Sequence, residues 1–143
     1  MEGDSINCIN VKPKDPRFIF VHARDNCIRE IQTNNQHVRK YDKKKSQWTP
    51  HARYFGALSS KYLIKSCLSP DGTYLLAGSE SGQPVIWDTA LNKCLRDEID
   101  RLEVNFKMPV TDVAWNDKYQ MIAVCGFGAE LPILIYCWES KHL

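Results

Sequence analysis

Residues 69–88, SPDGTYLLAGSESGQPVIWD, constrain the fold more than any other stretch of this chain. Ser69, Pro70, Asp71 and Gly72 have the residue types of a type I turn: serine at the first position, proline pre-setting φ at the second, glycine at the fourth. Residues 73–79 follow as a run of strand length, rich in β-formers at its start and in small residues at its end. Glu80, Ser81 and Gly82 make a second turn. Residues 84–88 form a second apolar strand, with Pro84 at its entry, where a missing N–H costs least, and Trp87-Asp88 at its close.

Imperfect copies flank this unit. Upstream, residues 18–21 (FIFV) are apolar without alternation, which predicts a strand buried on both faces. Arg24, Asp25 and Asn26 then form a turn, with Asn26 able to adopt a left-handed backbone, and residues 27–32 form the next strand. Asp25 stands where Ser81 stands later, and Ile31 where Trp87 stands. Downstream, residues 110–115 (VTDVAW) and 120–125 (QMIAVC) flank the turn Asn116-Asp117-Lys118. A longer turn over 126–131 leads to residues 132–138 (PILIYCW). Matching positions lie 56 residues apart (Asp25 to Ser81) and 46 apart (Leu75 to Met121). The second spacing is near the blade length of about 40–45 residues in WD repeats, and the Trp-Asp ending fits them. The expected fold class is all-β: a partial WD40 β-propeller of about three blades of antiparallel strands.

The division this implies is a first blade over 1–32, a basic polar insertion over 33–52, a second blade over 53–100 and a third over 101–143. Residues 5–11 open the first blade. Residues 53–57 are read as an outer strand opening the second blade, 62–68 as its innermost strand, 92–99 as a weak closing strand and 98–107 as a charged connection. The insertion carries the basic run 39–45 and a short strand candidate over 37–41. The run reads as a solvated loop; the alternative is contact with anionic lipid or RNA, for which Tyr41 and Trp48 offer stacking surfaces.

The composition excludes several classes. With 43% hydrophobic and 25% charged residues and a net charge of +2, the chain is that of an ordinary folded domain without an electrostatic footprint for nucleic acid or membrane. No apolar run approaches the ~20 residues of a membrane helix, and the acidic start leads into no signal-peptide core. An intracellular, cytoplasmic location is expected. Cys8, Cys27, Cys67, Cys94, Cys125 and Cys137 form no CxxC pair, so buried free thiols are expected and no metal site. His22, His37, His51 and His142 are scattered, no serine sits in a GxSxG elbow, and Gly126-Phe127-Gly128 is a turn rather than a nucleotide loop. No catalytic residue, cofactor or small-molecule substrate is predicted.

WD repeats link a Gly-His pair, a turn aspartate, a strand Ser/Thr and the tryptophan by hydrogen bonds. Here Ser79, Trp87 and Asp88 are present, but Ser81 holds the turn position and no Gly-His precedes it. The expectation is that packing rather than the polar network holds the units together. Propellers bind proteins on the rim formed by their loops, which makes Arg24, Asp25, Ser60, Lys61, Glu80, Ser81, Lys107, Met108 and Phe127 the candidate partner contacts.

Several stretches taken together resemble the jouberin family: 52–57 (ARYFGA), 69–80, 109–114 (PVTDVA) and 121–128 (MIAVCGFG), continuing to 132–136. Cys125-Gly126-Phe127-Gly128 in place of the usual Ser-x-Asp-Gly turn is the most specific of them. The resemblance covers about 6–139 and implies a non-enzymatic scaffold supporting cilium assembly at the basal body and transition zone, with ciliary scaffold proteins as partners. The chain shows neither the coiled-coil segment nor the SH3 domain of that family, and only three blades. A closed propeller needs about 4–8. The expected neighbours of its open faces are the remaining blades of a longer chain, with self-association as the alternative.

Overall fold

The computed structural model describes residues 4–33, 50–91, 99–103, 106–128 and 133–137. Among these residues eleven strands form three antiparallel sheets. The first sheet has the order β1 (Ile6–Val11), β2 (Phe18–Ala23), β3 (Cys27–Gln32), β4 (Ala52–Phe55). The second runs β5 (Ser66–Leu68), β6 (Tyr74–Ala77), β7 (Val85–Asp88), β8 (Asp100–Arg101). The third has the order β11 (Ile133–Cys137), β10 (Met121–Gly126), β9 (Val110–Trp115). This is the arrangement of consecutive propeller blades.

The sheets stack face to face through two cores. Between the first and second, Phe20, Ile28 and Tyr54 pack on Leu75, Val85 and Trp87. Between the second and third, Leu76 packs with Phe106, Val110, Val113, Ile122 and Val124. Leu75 and Leu76 are adjacent in β6 and feed opposite cores, because successive strand residues point to opposite faces. Phe20 and Val21 are likewise buried on the two faces of β2. The seam between the second and third sheets is also hydrogen-bonded: the Val110 N–H donates to the Ser79 carbonyl at 2.9 Å and the Lys65 N–H to the Thr111 carbonyl at 2.9 Å.

Three strand expectations and one burial expectation are corrected. Residues 53–57 do not open the second blade: Ala52–Phe55 pairs with β3 and is the outermost strand of the first sheet. The innermost strand expected over 62–68 is only Ser66–Leu68, because Tyr62 and Leu63 are exposed and lead into the sheet as loop. The connection expected over 98–107 contains β8, which pairs with β7. Of the thiols expected to be buried, Cys27 is, whereas Cys8, Cys67 and Cys125 are half-buried and Cys137 is exposed. Burial pushes the Cys67 thiol up to about 12. The basic run 39–45, the strand candidate 37–41, most of 92–99 and Cys94 lie outside the described residues.

The edge strands of the two end sheets expose apolar side chains outward, although Val21 and Ile31 on the outward face of the first sheet are buried. Cys8 and Asn10 of β1 turn toward the second sheet, where the Asn10 amide donates to the Ser66 carbonyl at 2.9 Å. Ile9 and Val11 therefore point the other way, and each is 57% exposed. On β11, Ile133 and Ile135 are 61% and 65% exposed.

His22 lies fully inside the first core, with neither ring nitrogen hydrogen-bonded. Burial lowers its imidazole from the ordinary 6.5 to about 4, against a small opposing pull from Asp25. Between these values the unfolded chain takes up a proton that the folded chain refuses. Stability therefore falls as pH falls through the window, by about 3 kcal/mol in full. Urea unfolding between pH 7 and 4.5 is expected to show this loss, and His22→Leu to flatten most of it. An unchanged slope in that variant would assign the effect to other groups.

Candidate interaction surface

Successive turns of antiparallel strands alternate between the two ends of a blade. The turns 24–26, 80–82 and 126–128, the loop 56–65 and the segment 106–109 therefore gather at one end, on a common rim.

Much of the chemistry there is spent on holding the rim together. Asn26 adopts φ 60°, and its amide oxygen accepts the Ser59 N–H at 2.6 Å. The Ser59 hydroxyl donates to the Ala23 carbonyl at 3.0 Å. The Arg24 guanidinium donates to the carbonyls of Ser60 and Lys61 at 3.2 and 2.7 Å. The Glu80 carboxylate accepts the backbone N–H groups of Lys61 and Tyr62 and the Ser60 hydroxyl. Both turns thus clamp the same loop, one by carbonyls and one by amides. Asp25 pairs with Arg29, whose hydrogen bonds hold the Asp25 carboxyl below the usual range.

Deeper, the buried Ser79 hydroxyl accepts the Leu58 N–H at 3.1 Å and lies 2.9 Å from the Ser81 hydroxyl. The Trp87 indole donates to the Phe55 carbonyl at 3.0 Å, across to the first sheet. The expectation that packing rather than a polar network holds the units together is thereby corrected in part. Ser81 takes over the turn-aspartate position, and the tryptophan N–H finds a backbone acceptor. At the other end, Pro70 occupies the second turn position. Asp71 accepts the Ser69 hydroxyl and the Thr73 N–H, which bring its carboxyl down to about 2. The Gly72 N–H closes the turn on Ser69 at 2.8 Å. Asp88 accepts the Ala90 N–H at 2.7 Å.

Among the predicted contact residues, Arg24, Asp25, Ser60, Glu80 and Ser81 are engaged within the chain. Lys61, Lys107, Met108 and Phe127 face outward. Lys61 and Lys107 form no ion pair among the described residues. Phe127 is 55% exposed, and its ring lies 5.9 Å from that of Tyr62. Met108 approaches Gly128, where an added Cβ would lie 3.7 Å from the Met108 Cγ. The rim is therefore an exposed patch of two aromatics and a methionine beside two lysines. Tyr62 was absent from the predicted set because its apolar neighbours made it look like strand. The acidic Glu80 two turns away, able to cap its amide, is a signal only once the fold is known. No group of three or more His, Cys, Asp or Glu among the described residues could hold a metal ion.

The WD domain, G-beta repeat (WD40) family matches residues 48–88, the stretch from just before β4 to the end of β7. Jouberin from Mus musculus is 27% identical over 139 residues, which is 97% of this chain and 12% of that protein. Protein lethal(2)denticleless from Drosophila melanogaster is 56% identical over 99 residues, 65% of this chain and 10% of that protein. The crystal structure of the Cps50 (Swd1) beta-propeller domain of Myceliophteria thermophila superposes with a TM-score of 0.65 at 17% identity, over 94% of this chain and 41% of that one. The chain is thus jouberin-like in sequence along nearly its whole length, and its fold is that of part of a WD40 propeller. It spans only about an eighth of the jouberin relative it matches.

Proposed function

We propose that this chain is a non-enzymatic WD40 scaffold segment that binds other proteins through the rim carrying Tyr62, Met108 and Phe127, with Lys61 and Lys107 at its border. The observation that carries the reading is the division of labour on that rim. Arg24, Asn26 and Glu80 immobilise the loop, so the exposed aromatics are presented on a fixed frame and binding costs little ordering. Exposed aromatic and methionine side chains with basic neighbours have the composition of a contact-patch centre. Two further elements belong to the proposal. The exposed edge strands at Ile9 and Val11 and at Ile133 and Ile135 are seats for further blades of a longer chain, and the likeness to jouberin suggests a setting in cilium assembly at the basal body and transition zone.

The test is localisation of the tagged chain in ciliated cells. Enrichment at the basal body is expected, and the double variant Tyr62→Ala, Phe127→Glu should lose most of it while being expressed at the same level. Uniform cytosolic signal from the unaltered chain would sink the ciliary assignment. Enrichment indifferent to the double variant would move the contact elsewhere.

A further inference from the structure

At the end of the blades opposite the rim, the second and third sheets part to leave a groove of about 520 Å³. The register explains what lines it. Cys67, Leu76, Ile86 and Asp100 are cross-strand partners on one face of the second sheet, the face that packs on the third. Tyr74 lies on that same face, two residues before Leu76. Trp115 comes from the facing side of β9, paired with Ile122 of the second core. The rings of Tyr74 and Trp115 are nearly parallel, at 9°, with centroids 6.2 Å apart. Tyr119, 67% exposed, stands on the β9–β10 turn at the mouth. Asp71, Asp100 and Asp117 also line the groove, against Lys118 as the single cation among the described lining residues.

This combination is selective. In a chain of net charge +2, the described lining of the groove has a surplus of carboxylates. Aromatic faces attract cations through their quadrupoles, and the attraction strengthens where water is partly excluded. The geometry points to a docking site for a basic segment of a partner protein, with an arginine or lysine side chain laid against Tyr74, Trp115 and Tyr119 and its charge facing Asp100 and Asp117. An acidic segment meets like charge on three sides. A neutral apolar segment leaves those carboxylates without compensation. Because the blade turns alternate ends, this site is separate from the Tyr62–Phe127 rim and can be occupied together with it.

Fluorescence polarisation on the full chain, in the oligomeric state in which it purifies, tests the site. The probes are labelled decapeptides of alternating glycine and arginine, glycine and lysine, and glycine and glutamate. Saturable binding of the basic peptides, with arginine at least as tight as lysine and no binding of the glutamate peptide, is expected. Tyr119→Ala should weaken it about five- to tenfold, while Tyr119→Phe, which keeps the aromatic face, should leave it within about twofold. The double variant Asp100→Asn, Asp117→Asn should weaken it similarly and flatten its salt dependence. These positions are exposed, so the variants keep the fold. No saturable binding, equal binding of the glutamate peptide, or affinity unchanged in both the Tyr119→Ala and the aspartate variants would each overturn the proposal.

Discussion

Gly82→Ala is expected to lower stability by about 3 kcal/mol or more and to release the third sheet before the first. Gly82 has φ +80°, where an alanine side chain is strained. An added Cβ would lie 2.1 Å from the Phe106 carbonyl oxygen and 3.2 Å from that of Met108. The left-handed backbone contributes about 1–2 kcal/mol, and forcing an atom into packed backbone typically adds about 1–3 kcal/mol. The second term is not relieved locally, because Phe106 is fixed on its other side. Its ring occupies the space that a side chain at Gly126 would fill, 2.7 Å from that Cβ position. Phe106 is thus a wedge between the β6–β7 turn and β10, and displacing it opens the second core. Calorimetry should show a melting temperature lower by roughly 10 °C. Amide exchange should accelerate at Val113, Ile122 and Val124 more than at Phe20 and Ile28. A melting temperature within about 2 °C of the unaltered chain would contradict the wedge.

The same junction shows what the sequence could and could not reveal. The strands Cys27–Gln32 and Val110–Trp115 were legible because their β-branched and apolar runs are bounded by turn residues on both sides, so local chemistry is enough. The left-handed Asn26 was legible for the same reason. The membership of Ala52–Phe55 was not. Its partner β3 lies about twenty residues upstream, beyond the basic insertion, and nothing local distinguishes the last strand of one blade from the first of the next. Asp100–Arg101 has too few residues for any periodicity. Tyr62 and Leu63 misled because apolarity alone cannot separate a strand from a loop clamped by Glu80.

Candidate contacts divided along the same line. Arg24, Glu80 and Phe127 could be assigned to turns at one end from the sequence, since turns recur at fixed positions in the repeat. It could not tell that Arg24 and Glu80 are consumed as clamps while Phe127 is presented, because that depends on distances across blades. The groove at Tyr74 and Trp115 went unseen, although both residues sit in recognised strands. Their meeting requires the stacking register of two sheets, a long-range quantity that periodicity does not encode. The rim and the groove therefore differ in chemistry among the described residues, the rim with lysines at its border and exposed apolar groups, the groove lined by aromatics and three aspartates.

Removing the cation opposite Glu30 should be as damaging as the Gly82 change, and at the opposite side of the molecule. Glu30 is 1% exposed within β3. Lys12 reaches it from the β1–β2 turn at 3.2 Å, and the Tyr54 hydroxyl donates to its other oxygen at 3.0 Å. The ammonium also lies 5.5 Å from the Phe18 ring centroid and 5.8 Å from that of Phe20. Lys12→Met keeps the apolar stem but leaves a buried carboxylate with a single neutral donor. Losing one member of such a pair costs about 3–5 kcal/mol, because the remaining charge stays desolvated. Glu30→Gln alone should cost less, since an amide can still meet Tyr54 and the lysine can swing to water. The double variant Lys12→Met, Glu30→Gln should therefore be more stable than Lys12→Met alone, and that recovery distinguishes an uncompensated charge from lost packing. The damage should extend beyond the first sheet. A Cβ at Gly72 would lie 2.9 Å from the Pro13 carbonyl oxygen and 3.3 Å from the Lys12 Cγ, so the β1–β2 turn is packed directly on the β5–β6 turn of the next blade. Urea unfolding at neutral pH, with all three variants in one cycle, measures the coupling. Additive losses would mean that the Lys12 ammonium and the Glu30 carboxylate are not energetically coupled, and that the contact between the two turns rather than the ion pair joins the first blade to the second at this end.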